Sequence, residues 1–409
     1  MPESIKTTCC IVGGGPAGMM AGFLLARAGV DVLVLEKHHD FFRDFRGDTI
    51  HPSTLQVMHE LGLLGDFLKL PHQEVHELKA IVGGLQVPMA NFSHLPTVCK
   101  FIAFMPQWDF LNFLAAQSKR YRTFGLRMDA EVTGLLTSGD RVTGVRVKDA
   151  DGPLEVVSDL VIGADGRHSA VRDAAGFTAD DLSAPMDVLW FSLPRKGTDT
   201  QESMGRFEAG CIFIMIDRGE HWQCGLVIPK GSSDAVREQG LPAFRTRVNE
   251  LGYFGDRRAD AVRDFDQVKL LTVRVDRLRR WYRPGLLLIG DSAHAMSPIG
   301  GVGVNLAVQD AVAAANILAG PLRAGHATTA DLALVQRRRM FPTRLTQRLQ
   351  IVLQNRVVRI VLFKRGGVLR PPPVMRLFRR FPFLRRFPAR LIGMGVRPEH
   401  VQTPDIGGA

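Results

Sequence analysis

Cysteine and tyrosine are scarce in this sequence, with five cysteines and three tyrosines among 409 residues. Neither a metal-ligand spacing nor an even disulfide framework fits the cysteines, which are Cys9, Cys10, Cys99, Cys211 and Cys224. Free thiols of this kind predict a reducing, cytoplasmic location, and they give no reason to expect a metal. The shortage of tyrosine leaves little scope for a proton relay built from phenol groups.

A signal peptide and an N-terminal membrane span are also not expected. Residues 9–30 are apolar, but glycines, Pro16 and Arg27 interrupt them, and no basic segment precedes them. No internal repeat occurs. The length suits two domains, or one domain with a large insertion, so we expect a globular protein.

Acidic residues are missing from one long part of the chain. Lysine and arginine total 52 against 41 aspartates and glutamates, which gives a formal net charge of +11. Residues 337–390 contain sixteen of the basic residues and no acidic one. Arginines interspersed with large apolar residues suit the surface of an anionic membrane. Helices that only pack on the body of the protein are the alternative. Nucleic acid would also attract this charge, but no nucleic-acid-binding motif supports it.

A glycine-rich loop is the most informative feature that the sequence does contain. Residues 7–12 predict a buried strand, 13–18 read Gly-Gly-Gly-Pro-Ala-Gly, and 16–28 predict an apolar helix. A second strand, 30–35, ends at Glu36. In a G-x-G-x-x-G loop, the glycines allow a tight turn, close approach of a pyrophosphate and packing of helix on strand. The helix N-terminus favours phosphate, and the acid binds ribose hydroxyls, so the pattern predicts a dinucleotide site.

Residues 185–275 are rich in strand-forming and aromatic residues, and they predict a second domain built on a sheet. Its aromatic face is a candidate floor for an apolar pocket. An ordinary sheet core is the equally weighted alternative. The chain then returns at 286–289 to a buried strand, so the cofactor domain is expected to be discontinuous.

Two further motifs each follow the end of a strand. They are Gly163-Ala164-Asp165-Gly166 and Gly290-Asp291-Ser292-Ala293-His294, and either alone is compatible with a simple turn. In order after the glycine loop, they resemble the signature of single-component (class A) FAD-dependent aromatic monooxygenases, the p-hydroxybenzoate hydroxylase type. The resemblance covers roughly residues 5–320.

The resemblance implies an α/β fold with a Rossmann-like, glutathione-reductase-type FAD-binding domain, an inserted β-sheet substrate domain and a helical C-terminal region. The FAD-binding domain is expected at 1–72, 105–180 and 278–335. The substrate domain is expected at 73–104 and 181–277, and the basic C-terminal region at 336–409.

The resemblance also implies the residues that bind the cofactor, since each matches a family motif. They are Gly13, Gly15, Pro16, Ala17, Gly18, Glu36, Lys37, Arg46, Gln107, Val132, Asp165, Gly166, Gly290, Asp291, Pro298, Gly301, Gly303, Val304 and Asn305. Arg43 is an alternative to Arg46 as the cation beside the diphosphate. Residues 298–305 would present backbone N–H groups to the flavin pyrimidine edge.

The implied reaction uses NAD(P)H as co-substrate and O₂ to hydroxylate or epoxidise a lipophilic aromatic, phenolic or quinol-type compound through a flavin C4a-hydroperoxide. No second G-x-G-x-x-G stands out, which favours transient binding of NAD(P)H. A geranylgeranyl-reductase-like enzyme and a non-catalytic flavin-binding protein stay open. A halogenase is disfavoured because no W-x-W-x-I-P segment occurs.

The candidate catalytic residues are Asp48 and His51, which follow the stretch expected near the flavin. A role for His51 in starting a helix is favoured over that of a base. His221 opens a strand of the inserted sheet, and His294 is expected to support the flavin loop. The sequence leaves the substrate, the choice of NADH or NADPH and the oligomeric state open.

Overall fold

The computed structural model describes residues 3–42, 49–150, 152–199, 203–252, 256–364 and 366–406. Its strands are β1 Glu3–Val12, β2 Val32–Leu35, β3 Thr49–Ile50, β4 Gln73–Val75, β5 Glu77–Val82, β6 Leu85–Asn91, β7 Ile102–Phe104, β8 Phe124–Arg127, β9 Glu131–Ser138, β10 Arg141–Asp149, β11 Gly152–Gly163, β12 Ala179–Asp181, β13 Met186–Pro194, β14 Met204–Glu208, β15 Cys211–Asp217, β16 His221–Pro229, β17 Lys269–Leu271, β18 Asp276–Leu278, β19 Tyr282–Arg283 and β20 Leu286–Leu288. Its α-helices are α1 Pro16–Arg27, α2 Pro52–Glu60, α3 Leu64–Phe67, α4 Gln107–Ser118, α5 Ala170–Ala174, α6 Ser233–Glu238, α7 Leu241–Gly252, α8 Gly303–Arg323, α9 Thr329–Leu353, α10 Arg359–Phe363, α11 Pro373–Arg380 and α12 Arg386–Gly393.

The first sheet has five parallel strands in the order β20-β11-β1-β2-β8, with β19 antiparallel at one edge. The β9–β10 hairpin is joined to it through antiparallel pairing of β10 with β11. The parallel strands are nearly continuous apolar runs because helices cover the sheet, among them α1, which packs on α4 and α8. The predicted α/β class with a Rossmann-like domain is confirmed.

The second sheet has seven strands in the order β17-β13-β16-β15-β14-β5-β6. All neighbours are antiparallel except β14 and β5. One face, which includes Phe191, Phe213 and Trp222, packs against Phe244 of α7. These aromatics therefore form an ordinary sheet core, and the predicted aromatic pocket floor is not their role. Val188 and Ile212 lie in a separate cluster on the opposite face.

The predicted domain boundaries stay a prediction, and the structure departs from them in two places. Strands β4 and β7 do not join the seven-stranded sheet, because β7 pairs with both β3 and β4 in a small sheet of three strands. The end of the chain, 398–406, is not helical and returns to the first domain. There Asn316 Nδ2 donates to His400 O over 2.8 Å, and Arg27 forms an ion pair with Asp405.

The C-terminal helices cover both sheets. Helix α9 packs along α8, whereas α10 packs on β15, and both α11 and α12 pack on β6. Of the described residues, only 299–323 form a helical segment long and apolar enough to cross a membrane. Of its most apolar 18-residue window, 83% is buried, so it is the core helix of the first domain.

The five cysteines are all free and buried. Burial raises the pKa of Cys10 to about 12, so this thiol is protonated and unreactive at neutral pH.

Candidate active site

The three sequence motifs meet at one edge of the parallel sheet, where the strands end. Ala164 N donates to Val12 O over 2.7 Å, and Ile289 N donates to Gly163 O over 3.0 Å. A Cβ on Gly290 would lie 3.1 Å from Ala17 Cβ, so the third motif touches the first. The carboxyl edge of a parallel sheet is where such folds bind ligands.

The three glycines of the first motif have different surroundings. Gly13 has a φ of +106°, and a Cβ there would lie 2.5 Å from Ala164 O. A Cβ on Gly18 would lie 1.9 Å from Gly13 O, so packing requires glycine at both positions. A Cβ on Gly15 would meet nothing within 4 Å. Space therefore remains above the N-terminus of α1, which begins at Pro16 with no side-chain cap.

Glu36 is buried beside this loop, at the end of β2. Its Oε2 accepts from Gly14 N over 2.8 Å, and its Oε1 accepts from His38 N over 3.1 Å. Ala130 N donates to Glu36 O over 2.9 Å, which brings the start of β9 and Val132 next to the acid. Lys37, in contrast, is exposed.

Asp165 and Asp291 are carboxylates in different environments. Asp165 Oδ2 accepts from Val171 N over 3.1 Å, whereas its Oδ1 is buried with no partner in the described part of the chain. Burial raises the pKa of Asp165. Asp291 is partly exposed and accepts from Arg167 Nη2 over 3.2 Å. Gly166, which directly follows Asp165, adopts a φ of +83°.

The turn that precedes α8 is glycine-rich, and a hydrogen bond from Thr49 holds it in place. Gly301 has a φ of +63°, and Thr49 Oγ1 donates to its carbonyl over 3.1 Å. A Cβ on Gly303 would meet nothing within 4 Å, so the start of α8 is open. Asn305 Oδ1 instead accepts from the Ser53 and Thr54 hydroxyls. Its side chain therefore faces α2, and Val304 is buried beside it.

Two glutamines of α9, together with Gln354 directly after it, hold the segment that leads into this turn. Gln347 Nε2 donates to Ala295 O over 3.1 Å, and Gln350 Nε2 donates to Ser297 O and Ile299 O, each over 3.0 Å. Gln354 Nε2 donates to Ser297 Oγ over 2.8 Å. The glutamines recur every three or four residues, so they share one helix face. That spacing is the sequence signal that identifies them, and the motif analysis missed it.

A buried charge network lies beneath the Gly290 motif. Asp310 Oδ2 accepts from Gly290 N over 3.1 Å and contacts His294 Nε2 at 2.6 Å. Its Oδ1 accepts from Arg339 Nε over 2.9 Å. Although burial opposes ionisation, His294 and Arg339 keep the pKa of Asp310 lowered. His294 thus lies where a supporting residue is expected, while Asp310 and Arg339 were not found from the motifs.

His51 is wholly buried, which does not fit the prediction of a catalytic base. It caps α2 through its backbone, and its Nδ1 donates to Ile392 O over 2.7 Å. Burial lowers its pKa to about 4. Its Nε2 is also buried. We therefore replace the catalytic prediction with a positioning role that joins α2 to α12.

The remaining predicted residues lie in several places. Gln107 is half-buried at the start of α4, and Pro298 is half-buried before the 299–301 turn. His221 is exposed at the start of β16. Asp48, Arg46 and the alternative Arg43 lie outside the described residues.

An apolar layer lies between the seven-stranded sheet and the glycine-rich turn. Ile299 is partly buried and packs against the buried cluster that includes Val188 and Ile212, as do Trp190, Phe207, Ile214 and Met89. This is the face of the sheet opposite α7.

The burial of His51 predicts a specific pH dependence of stability. The unfolded chain protonates this imidazole below pH 6.5, whereas the folded protein does so only near pH 4. As the pH falls from 6.5 to about 4, the unfolded state binds more protons, and the free energy of unfolding decreases by roughly 2 to 3 kcal/mol. In His51→Gln this contribution should be absent, as measured by urea unfolding across that range. His59→Gln, which removes an exposed imidazole, is the control and should follow the wild type. Parallel pH profiles for wild type and His51→Gln would contradict the assignment.

Comparison with known proteins agrees with this geometry. The family model described as "FAD binding domain" matches residues 6–348. The 6-methylpretetramide 4-monooxygenase of Streptomyces rimosus is 32% identical over 87% of this chain and 85% of its own length. The p-nitrophenol 4-monooxygenase of Pseudomonas putida has a TM-score of 0.74 at 21% identity, covering 96% of this chain and 100% of that structure. The flavin-dependent halogenase CmlS has a TM-score of 0.73 at 22% identity, covering 97% and 74%. The chain therefore belongs to the FAD-binding-domain family, and it is an FAD-dependent monooxygenase of the single-component aromatic hydroxylase class.

Proposed function

We propose that this protein uses FAD, NAD(P)H and O₂ to hydroxylate or epoxidise a lipophilic aromatic, phenolic or quinol-type compound. The observation that carries the proposal is the meeting of three motifs at one sheet edge, with open space above Gly15 and Gly303. The relative that acts on 6-methylpretetramide makes that compound the first one to test.

The residues present fit an FAD molecule laid along the edge of the sheet. The open N-terminus of α1 suits the pyrophosphate because its N–H groups have no side-chain cap. Glu36 suits the ribose hydroxyls because it is a buried carboxylate beside the loop, held there by Gly14 N and His38 N. Asp165 Oδ1 is a buried acceptor without a partner in the described part of the chain, as expected of an atom that a ligand would satisfy.

The second half of the cofactor would lie near the start of α8. Asp291 is partly exposed at the end of β20 and suits the ribityl hydroxyls. The open helix start at Gly303 would stabilise negative charge on the flavin pyrimidine edge. When bound, FAD supplies the redox chemistry that activates O₂.

The protein's own residues would orient the substrate and exclude water from the site. The apolar layer of Trp190, Ile214 and Ile299 offers a dry surface beside the turn. Asp48 stays the proposed acid–base group, and Arg46 or Arg43 the proposed cation at the diphosphate.

Substituting Gly15 tests the cofactor site with a matched control. In both Gly15→Ala and Gly65→Ala the new Cβ would meet nothing within 4 Å, so both variants should fold. Only Gly15→Ala would occupy the space proposed for the pyrophosphate, and its Kd for FAD should rise at least about tenfold. Fluorescence titration of the apoprotein measures this change. Equal FAD affinity in the two variants would contradict the proposed site.

Oxygen labelling tests the reaction. The purified flavoprotein should consume NAD(P)H faster with an accepted phenol, quinol or 6-methylpretetramide, and mass spectrometry should find one atom from ¹⁸O₂ in the product. A saturated product without label would indicate a reductase. A halogenated product would indicate a halogenase. FAD binding without turnover on any compound would indicate a flavin-binding protein, and each of these three results contradicts the proposal.

A further inference from the structure

The C-terminal segment carries an unusual set of uncompensated positive charges. No acidic residue occurs between Asp331 and Glu399. Three arginines of this segment do pair with the body of the protein, since Arg338 and Arg339 contact Glu399 and Arg385 contacts Glu77. Eight others are exposed and have no ion pair within the described ranges: Arg356, Arg359, Arg370, Arg376, Arg379, Arg380, Arg386 and Arg390.

Large apolar side chains are exposed among these arginines. Val368 is 71% exposed and Phe387 is 69% exposed. Five more share the segment: Ile360, Phe363, Leu377, Phe381 and Phe383. We call the exposed residues of 356–390 the C-terminal surface. Exposed apolar groups in this number exceed what a surface facing only water requires.

Packing of the segment does not explain these exposed groups. Other side chains anchor it, because Val361, Leu362 and Met375 are buried in the cluster behind the seven-stranded sheet, and Ala389 is buried with Phe92. The exposed residues therefore take no part in docking the helices on the protein. A segment with buried anchors and a basic, apolar outer side has the composition of an interfacial membrane-binding element.

We propose that the C-terminal surface docks on a lipid bilayer that contains anionic headgroups. The exposed arginines would lie at the level of the phosphates, and the phenylalanines would enter the boundary between headgroups and acyl chains. Charge complementarity alone would also suit nucleic acid. The aliphatic side chains Ile360 and Val368 favour lipid, because they gain nothing from a sugar–phosphate backbone.

The C-terminal surface is continuous with the proposed active site through α12. The same helix that exposes Phe387 carries Ile392, whose carbonyl accepts from His51. A Cβ on Gly300 would lie 3.9 Å from Ile392 Cγ1, so the inner end of α12 touches the glycine-rich turn. A lipophilic substrate dissolved in the bilayer would thus be held close to the site. This last step rests on the proposed function, whereas lipid binding does not.

Vesicle binding of the full-length flavoprotein tests the proposal. Sedimentation with phosphatidylcholine vesicles, with and without phosphatidylglycerol, should show binding only to the anionic ones. Removing two charges in Arg379→Gln/Arg380→Gln should lower the partition coefficient about thirtyfold, since each basic group contributes about 1 kcal/mol. Phe383→Ser/Phe387→Ser should abolish the part of the binding that survives raised salt. The control Lys119→Gln/Arg122→Gln removes equal charge from exposed residues elsewhere and should bind like the wild type.

Separate readouts keep this proposal distinct from the proposed function. Absence of binding to anionic vesicles by FAD-loaded protein would overturn the lipid proposal even if turnover is normal. Equal losses in the control and the Arg379→Gln/Arg380→Gln variant would do so as well. Binding to a single-stranded oligonucleotide without vesicle binding would identify nucleic acid as the occupant instead. Vesicle binding in a protein that has no monooxygenase activity would refute only the proposed function.

Discussion

Backbone pairing between four parallel strands is the constraint on which the rest of the site depends. In register, Val12 lies beside Leu35 and Gly163, and Gly163 lies beside Leu288. This alignment brings segments from the beginning, middle and end of the first domain to one edge. A slip of one residue in any strand would turn its buried side chains to the opposite face and separate the motifs. The insertion of the second sheet is tolerated because it leaves this register unchanged.

The sequence predicts the strand, glycine turn and helix at this sheet edge well, because the sequence patterns that identify them are local. A strand, a glycine turn and a helix follow one another within the first 36 residues, and Gly13 and Gly18 each have a steric reason that depends on near neighbours or the adjacent strand. Contacts between distant segments could not be predicted in the same way. Gln350 reaches Ser297, and Arg339 reaches Asp310, through the docking of α9 on α8.

Side chains alternate between the two faces of a sheet along each strand, which places Phe191 and Val188 of β13 on opposite faces. This alternation does not say which face meets the cofactor domain. The structure packs the aromatic face on α7 and turns the aliphatic face, with Trp190, toward Ile299. His51 illustrates the same limit. Its proximity to the expected flavin region suggested catalysis, whereas contact with Ile392 from the far end of the chain buries it.

In the proposed site, the glycine loop and Glu36 hold the adenosine half of FAD, while the second half of the cofactor lies near α8. Titration of the apoprotein with FAD and with FMN tests this arrangement, because FMN lacks the adenosine half. We expect tight binding of FAD, with the absorbance changes of a buried flavin, and far weaker binding of FMN. Equal affinity for the two flavins, or binding of neither, would contradict the account.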